Sequence, residues 1–250
     1  MEERDHEAKL ERERSWYTEP TFRADHPLNA RLFYSRERNA FNYVEARRRL
    51  AALLGPVDSL LVAPIGGGMD LPYLRPLAAR IAGIDIVPEA VAAIADPDVD
   101  ARVGDMLELP YADESFDAVA VSLFFHHYFR QGYDPYLVEI RRVLRPGGVL
   151  VTLEPSALHP GWWLSWTLRR VVGNISGAVA DERPIRASQL VAAMRRTGFV
   201  DVRVEAAGFP HPRTPVPVAR AINRLAPALV RLPLVKHLAW TFVARARKPG

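Results

Sequence analysis

Between residues 58 and 154, short runs rich in aliphatic and β-branched residues alternate with stretches of helical character, and this alternation restricts the fold more than any other feature. It predicts βαβ units, because neighbouring parallel strands need a crossover long enough to hold a helix. The fourth run, SFDAVAVSLFF, is apolar along most of its length, as expected for a strand that helices cover on both faces. We therefore predict an α/β protein whose fourth strand lies near the middle of a parallel sheet.

Proline, glycine and short polar residues mark the predicted ends of the elements. The first strand, SLLVAPI, runs into three glycines, and Pro76 is expected to cut or kink the short helix that follows. The second strand ends on Asp85, and the third is the short run ARVGD. Asp134 and Ser188 are predicted N-caps of the helices DPYLVEIRRVL and SQLVAAMRRTG, because their side chains can accept a backbone N–H bond from the first turn. Three later strands are GGVLVTLE, FVDVRVEAA and HLAWTFVARA.

Composition excludes several classes of protein. With 250 residues, 49% of them hydrophobic and 25% charged, the chain suits a globular protein with one main domain. The absence of cysteine excludes disulfides, thiolate metal sites and cysteine nucleophiles. The N-terminal run MEERDHEAKLERER is charged, and arginines interrupt the long apolar stretches, so neither a signal peptide nor a membrane span is expected. The expected location is the cytoplasm.

Glycine and acidic residues follow the first three strands at their carboxyl ends, where open parallel sheets bind ligands. Residues 66–68 are all glycine, which permits backbone conformations and a close ligand approach that a Cβ prevents. Asp85 is placed to accept the hydroxyl protons of a ribose, and Asp105 to accept from an adenine amino group with Met106 beside the ring. Taken singly, the glycines also fit a plain turn, Asp85 a helix N-cap and Asp105 an ordinary loop. In this order they favour a nucleoside site.

Four segments within residues 58–154 agree with a known family in length, order and spacing: GIDIVPEAV, GDMLELPYADESFDAV, the FFHH after strand four, and EIRRVLRPGGVLVTLEP. They resemble the class I S-adenosylmethionine-dependent methyltransferases, especially the branch of the ubiquinone/menaquinone biosynthesis methyltransferases. The resemblance implies a Rossmann-like α/β fold with a mostly parallel seven-stranded sheet of order 3-2-1-4-5-7-6, an antiparallel last strand and helices on both faces. It also implies S-adenosyl-L-methionine as the cofactor and a small-molecule acceptor.

Transferred residue by residue, the resemblance implies a cofactor site built from the strand ends. Its members are Gly66, Gly67, Gly68, Asp85, Ile86, Asp105, Met106 and Ser122. The glycines would flank the methionine part, Asp85 would hold the ribose, and Asp105 and Met106 would hold the adenine. The end of strand four, residues 122–127, would face both cofactor and acceptor.

The glycine loop itself departs from the family pattern at two positions. The family usually has an acid where Val62 stands and a glycine where Pro64 stands, so a partner for the cofactor's ammonium group is missing. Asp70, shortly after the loop, is our hypothetical substitute for that acid. A role in helix capping is the equally weighted alternative for Asp70.

Two adjacent histidines are the candidate catalytic residues. Methyl transfer from a sulfonium is an in-line displacement, and a hydroxyl acceptor must in addition lose a proton to a group whose pKa lies near neutrality. His126 and His127 follow strand four, and because alternate residues point to opposite sides, we favour His127 as the one that faces the pocket. Packed histidines that steady the loop are the structural alternative. No tight cluster of histidine and aspartate occurs along the sequence, so no metal is expected.

Two parts of the chain fall outside the alternation and could cover the site. Residues 1–50 are predicted to form an N-terminal helical extension or lid, and residues 51–250 the methyltransferase domain, with inserts at about 155–187 and 208–236. Candidate residues for the lid or the acceptor are Tyr17, Tyr34, Tyr43, Glu154 and His159. Helical aromatic residues are more often ordinary core, and Glu154 could equally order its turn.

The segments GWWLSWTLRRVVGNISG and VPVARAINRLAPALVRLPLVKHL are apolar, basic and free of acidic residues. Such segments suit an anionic lipid surface, and hence peripheral contact with the inner membrane surface, or the entrance for a greasy, lipid-like acceptor. Core packing under a lid is the alternative. Nothing resembles a nucleic-acid-binding module, so no nucleic-acid partner is expected, and the oligomeric state is left open.

The sequence therefore favours a methyltransferase that acts on oxygen of a small hydrophobic acceptor, with carbon and nitrogen as open alternatives. A noncatalytic methyltransferase-like binding or assembly protein is the second hypothesis, and the residues that favour it are Val62 and Pro64. A dinucleotide-dependent oxidoreductase would explain Asp85 but not the segments GDMLELP and RVLRPGG.

Overall fold

A single sheet of seven strands organises the part of the chain that the computed structural model describes: residues 36–163, 182–211, 214–232 and 235–250, with the isolated positions 7, 8, 10, 11 and 167. The strands are β1 (Val57–Val62), β2 (Ala78–Asp85), β3 (Val99–Val103), β4 (Phe116–Ser122), β5 (Leu144–Pro155), β6 (Val200–Gly208) and β7 (Thr241–Arg247). Their order is β3-β2-β1-β4-β5-β7-β6. Strands β1 to β5 pair in parallel, whereas β7 runs antiparallel to both of its neighbours. The predicted fold class and strand order are confirmed.

Helices connect the strands. They are α1 (Arg36–Leu54), α2 (Leu71–Leu74), α3 (Pro88–Ala92), α4 (Asp134–Val143), α5 (Ala187–Arg196) and α6 (Val216–Leu229). Short 3₁₀ turns occur at Arg75–Leu77, Phe125–His127 and Val235–Leu238. The first of these turns contains Pro76 and ends α2 after one turn of helix, as predicted. Among the described helices, none has the length and apolar character needed to cross a membrane.

The core lies in two layers, one on each face of the sheet. Alternate residues of β4 divide between them: Val119 and Val121 belong to one apolar cluster, Ala118 and Ala120 to the other. Helices α4 and α5 contribute to the first cluster and α1 and α2 to the second. These four β4 residues are at most 1% exposed, because helices cover both faces of the strand. The central position predicted for the fourth strand is confirmed.

Two predicted helix N-caps are wrong by one or two residues. Helix α4 already includes Asp134, and Tyr133 is its N-cap residue. The Asp134 carboxylate instead accepts two bonds from the Arg196 guanidinium of α5, the shorter at 2.8 Å. Helix α5 begins at Ala187 and not after Ser188, because the Gln189 side chain accepts the N–H bond of the N-cap residue Arg186 at 3.3 Å. Both helices begin closer to the N-terminus than predicted.

Candidate functional site

A cavity of about 210 Å³ opens at the carboxyl ends of the central parallel strands. It lies at the edge of the sheet where β1 and β4, neighbours in space but not in sequence, diverge into their loops. The lining residues are Arg47, Pro64, Ile65, Gly66, Gly67, Met69, Asp70, Asp85, Ile86, Gly104, Asp105, Met106, Ser122, Leu123, Phe124, His127 and Tyr128. Nine of the residues predicted from the sequence are among them, and Gly68 and His126 are the predicted cofactor or catalytic residues that are not.

The loop after β1 forms one wall of the cavity. Gly66 has a φ of 51°, in the left-handed region that glycine tolerates, and its N–H donates to Oδ2 of Asp85 at 2.8 Å. Ile65 donates its N–H to the carbonyl of Ile84 at 2.8 Å, so the loop is tied to the end of β2 twice. Gly68 lies deeper in the turn: a Cβ there would come within 3.1 Å of the side chains of Leu71 and Ile94.

Asp85 directs a buried carboxylate into the cavity. The residue is 7% exposed, and its oxygens accept the N–H bonds of Gly66 at 2.8 Å and Val87 at 3.0 Å. Burial raises the pKa of Asp85, and bonds from the backbone N–H groups of Val87, Gly66 and Ile86 partly oppose that rise. Helix α3 has Val87 as its N-cap residue, with no side-chain cap, so the alternative role of Asp85 as the cap of that helix is wrong. Each oxygen retains acceptor capacity for a hydroxyl group in the cavity.

Asp105 and Met106 form the next part of the wall, but neither belongs to a strand. Strand β3 ends at Val103, so the acid lies two residues beyond it and not at its last position. One Asp105 oxygen accepts the N–H of Leu107 at 2.9 Å, which fixes the carboxylate in a tight turn. Met106 is 3% exposed, and with Ile86 it gives the cavity an apolar wall beside the carboxylate.

The end of β4 carries two unusual features. Leu123 has a φ of 54°, which costs a non-glycine residue about 1 kcal/mol and turns the chain sharply at the cavity wall. The hydroxyl of Ser122 is buried and has no hydrogen-bond partner among the described residues, although Ser122 lines the cavity. A buried hydroxyl without a partner is costly, so this group marks a place where a ligand would supply the missing bond.

Glu154, on β5, organises the turn that holds both histidines. Its fully buried carboxylate accepts the backbone N–H bonds of Phe124 at 2.9 Å and Phe125 at 2.8 Å through Oε1. Its Oε2 lies 3.3 Å from the N of His126 and 3.0 Å from the Nδ1 of the same residue. His126 is therefore held against β5, whereas His127 lines the cavity with its Nδ1 3.4 Å from Oε1 of Glu182. The two histidines therefore differ in their contacts, although their ring centroids are only 4.2 Å apart.

Arg47 is a site residue that the sequence reasoning missed. It lies on α1, and its Nε donates to Oδ1 of Asp70 at 2.6 Å, with 8% and 11% of the two side chains exposed. Both residues line the cavity, so Asp70 is present at the site but already paired with a cation. Val62 is 1% exposed and packs in the core, while Pro64 lines the cavity. No local sequence signal links Arg47 to Asp70, because only the packing of α1 brings them together.

The remaining candidates lie outside the cavity wall or outside the described residues. The hydroxyl of Tyr43 lies 3.4 Å from Nε1 of Trp240, and burial raises the pKa of Tyr43. His159 packs edge-on against Trp240 with ring centroids 5.2 Å apart, and burial lowers the pKa of this histidine. Glu154 lies beneath the histidine turn and is not part of the wall. Tyr17 and Tyr34 fall on residues that the structure does not describe.

Comparison with known proteins gives the family. A profile described as a methyltransferase domain matches residues 62–152. A demethylmenaquinone methyltransferase from Corynebacterium glutamicum is 37% identical over 112 residues, which is 44% of this chain and 47% of the relative. A ubiquinone/menaquinone biosynthesis C-methyltransferase from Rubrivivax gelatinosus is 32% identical over 180 residues, covering 65% of this chain and 68% of that protein. The chain spans about half the length of the first curated relatives it matches, 56% and 47%.

A solved structure agrees with the sequence comparison at the level of the fold. An S-adenosylmethionine-dependent methyltransferase from Thermotoga maritima aligns with a TM-score of 0.64 at 19% identity, over 85% of this chain and 92% of that one. The strand order, the cavity at the carboxyl ends of β1, β2 and β4, and the coverage of the Rubrivivax relative all point to the same group. The chain belongs to the class I S-adenosylmethionine-dependent methyltransferases.

Proposed function

We propose that this protein transfers the methyl group of S-adenosyl-L-methionine to an oxygen atom of a small hydrophobic acceptor. The observation that carries the proposal is that one cavity wall brings together the buried Asp85 carboxylate, the imidazole of His127 and the Ser122 hydroxyl, which has no partner among the described residues. The relatives named above act, by their names, in quinone biosynthesis, which supports a hydrophobic acceptor.

The polar groups of the cavity fit the cofactor. The Asp85 carboxylate is suited to the ribose hydroxyls, and Asp105, beside Met106 and Ile86, to the adenine amino group. The Ser122 hydroxyl, which lacks a partner among the described side chains, gives the ligand one further bond at the end of β4. When bound, S-adenosylmethionine supplies a methyl group on a positively charged sulfur.

The Arg47–Asp70 pair is suited to the methionine end. The methionine end of the cofactor carries an ammonium and a carboxylate. The pair offers a carboxylate for the first and a guanidinium for the second, and these two groups are themselves joined by a hydrogen bond of 2.6 Å. We therefore extend the Asp70 hypothesis to both residues: Asp70 would receive the ammonium and Arg47 the carboxylate. This arrangement would replace the acid that the family usually carries where Val62 stands. Because α1 supplies Arg47, part of the predicted N-terminal extension would contribute to the cofactor site.

His127 is placed to remove the acceptor's proton. Its imidazole lies at the cavity wall and 9% of the residue is exposed, so an acceptor hydroxyl beside it would exchange its proton with the ring and not with bulk water. Glu182, 3.4 Å from Nδ1, would stabilise the imidazolium that forms. The side chains of Phe124 and Tyr128 border the same space and favour an aromatic or aliphatic acceptor over a strongly polar one.

The test separates binding from transfer. Calorimetric titration with S-adenosylmethionine and S-adenosylhomocysteine measures binding, and incubation with a panel of phenols, quinols and prenylated quinols, followed by mass spectrometry and NMR of the products, identifies the methylated atom. We expect O-methylation that His127→Gln slows by about 10² to 10⁴ without weakening S-adenosylhomocysteine binding. Methylation on carbon would contradict the oxygen assignment, and an unaffected rate in His127→Gln would contradict the role of His127 as the base.

A noncatalytic methyltransferase-like binding protein is the second candidate. The observation in its favour is the altered loop, in which Val62 is buried in the core and Pro64 occupies a cavity position. Tight S-adenosylhomocysteine binding without turnover of any acceptor in the panel would support this candidate over an enzyme.

We also propose that the protein meets its acceptor at an anionic lipid surface. Helix α6 exposes Val218 (50%) and Leu225 (60%), one helical stripe seven residues apart, and the exposed Arg224 and Arg231 lie beside it. No acidic residue follows Glu205 to oppose this charge. In vesicle flotation we expect binding to phosphatidylglycerol and not to pure phosphatidylcholine vesicles. Replacing both arginines by serine should weaken it about 30-fold, at roughly 1 kcal/mol for each cation.

The matched control for flotation is Val138→Ser, since Val138 is 57% exposed on a different helix, α4. This variant should float like the unmodified protein, whereas Val218→Ser with Leu225→Ser should not. Equal flotation of all variants would exclude α6 as the lipid-binding surface.

A further inference from the structure

A cluster of three side chains beside the cavity has the donor set of a transition-metal site. Each of His126, His127 and Glu182 offers one nitrogen or oxygen atom, and these atoms all lie within 4.8 Å of one another. The side chains are only 12%, 10% and 14% exposed, so water competes weakly for them. No local pattern in the sequence predicts the cluster, because Glu182 comes from a different segment and folding brings it to the histidine pair.

The separations suit a zinc-sized ion. Zinc bonds to imidazole nitrogen and carboxylate oxygen of about 2.0–2.2 Å give a tetrahedral site edges of about 3.3–3.6 Å. The Nδ1 of His127 and Oε1 of Glu182 are 3.4 Å apart, and the two imidazole rings have centroids 4.2 Å apart. The wider separations, up to 4.8 Å, close with a small rotation of a side chain.

The surroundings of His126 match those of a metal ligand. Metal-binding histidines commonly donate their second ring N–H to a carboxylate, which fixes the tautomer and leaves the other nitrogen as an electron-pair donor. Glu154 provides such a carboxylate 3.0 Å from Nδ1 of His126, and three backbone N–H groups hold Glu154 in place. In the neutral His126 ring, Nε2 then carries the lone pair that can bind a metal ion.

The segment that carries Glu182 is also fixed in position. The N–H of Arg183 donates to the carbonyl of His126 at 3.2 Å, and that of Ile185 to the carbonyl of Pro155 at 3.1 Å. The carboxylate therefore approaches the histidines on a backbone that is bonded to the same turn and to the end of β5. A site whose ligands are held before the ion arrives loses little conformational entropy on binding.

We infer that His126, His127 and Glu182 bind one divalent transition-metal ion of the zinc type. Two histidines and one carboxylate are the ligands of catalytic zinc sites, in which the fourth position stays open for water or substrate. Because His127 lines the cavity, the open position faces the space where an acceptor would lie. A metal here would lower the pKa of a coordinated hydroxyl and take over the task proposed for His127. The inference concerns metal binding and stands whether or not methyl transfer occurs.

The test uses the full chain, stripped with a chelator and titrated with Zn²⁺ against a chromophoric competitor. We expect one Zn²⁺ per chain and a loss of affinity of more than about tenfold in His127→Gln and in Glu182→Gln. The matched control is His159→Gln, a half-buried histidine outside the cluster, which should bind Zn²⁺ like the unmodified protein. Replacement of Zn²⁺ by Co²⁺ should give the visible absorption of a tetrahedral site with mixed nitrogen and oxygen ligands.

Two outcomes would overturn the inference: no stoichiometric Zn²⁺ binding, or equal Zn²⁺ affinity in Glu182→Gln and the unmodified protein. S-adenosylhomocysteine titrations of the same samples report on the cofactor site, so a failed metal site and a failed methyltransferase assignment give different results. Circular dichroism melting curves show whether each variant is folded.

Discussion

The buried ion pair between Arg47 and Asp70 allows a test that separates stability from cofactor binding. Its atoms are 2.6 Å apart, and the two side chains are 8% and 11% exposed. Removing one partner leaves a buried charge without its counter-charge, whereas replacing both with apolar residues of similar size leaves none. The informative set is therefore Arg47→Met, Asp70→Leu and the double variant.

For each single variant we expect the free energy of unfolding to fall by about 3–5 kcal/mol. In a chain of this length that loss corresponds to a melting temperature lower by roughly 6–20 °C. The double variant should recover most of this loss. Its affinity for S-adenosylhomocysteine should nevertheless fall by at least about 100-fold, since two charge-assisted hydrogen bonds of roughly 1.5–3 kcal/mol each would be missing.

Thermal melting measures the loss of stability, and calorimetric titration measures the affinity for S-adenosylhomocysteine. The control is the pair Arg48 and Glu45 on the same helix, also joined at 2.7 Å but with 64% and 42% of the side chains exposed, for which a change of at most about 1 kcal/mol is expected. A double variant that is stable and binds S-adenosylhomocysteine normally would refute the role of the pair at the methionine end. A single Arg47→Met variant as stable as the unmodified protein would refute the burial argument itself.

Three further predictions concern single carboxylates and one histidine. Asp85→Ala should weaken S-adenosylhomocysteine binding by about 100-fold or more. Because burial raises the pKa of Asp85, the affinity of the unmodified protein should decline on acidification at a higher pH than that at which an ordinary aspartate titrates. Calorimetry at several pH values measures this decline, and a constant affinity down to the ordinary aspartate range would contradict the prediction. Glu154→Gln places an amide N–H₂ against backbone N–H groups, at about 1–3 kcal/mol for each unsatisfied group, so its melting temperature should fall well below that of the surface variant Glu205→Gln. Burial lowers the pKa of His159, so the folded state binds this proton less tightly than the unfolded chain, and stability should fall as the pH drops below about 6.5. Urea unfolding at neutral and acidic pH should show a smaller fall in His159→Gln, and an identical fall would remove His159 as the cause.

The alternation of apolar runs with helical stretches, and the proline and glycine residues at the ends of the elements, were sufficient to predict the sheet from the sequence. The apolar run around β4 is buried on both faces, and Pro76 ends α2, because these effects depend on neighbours along the chain. The cofactor-side candidates were also predictable. The carboxyl ends of parallel strands meet at one edge of a sheet, so Gly66, Asp85 and Asp105 had to converge once the strands were assigned.

Helix starts were less predictable. Asp134 and Ser188 have good capping side chains, but the carboxylate of the first pairs with Arg196 and the N–H of Arg186 finds the Gln189 side chain. A preference of about 1 kcal/mol for a capping residue is easily offset by such contacts: the first joins two packed helices, and the second forms within the first turn of α5.

The sequence by itself thus determined the class of fold, the order of its strands through the family resemblance, and the strand ends that form the cavity. The tertiary structure alone decided which side chains complete it. Arg47 reaches Asp70 from α1, Glu182 reaches His127 from the segment before α5, and the Ser122 hydroxyl is left without a partner among the described residues. The first two are contacts between residues far apart in the chain, and their distances follow from how helices and connecting segments pack on the sheet, which no local pattern encodes.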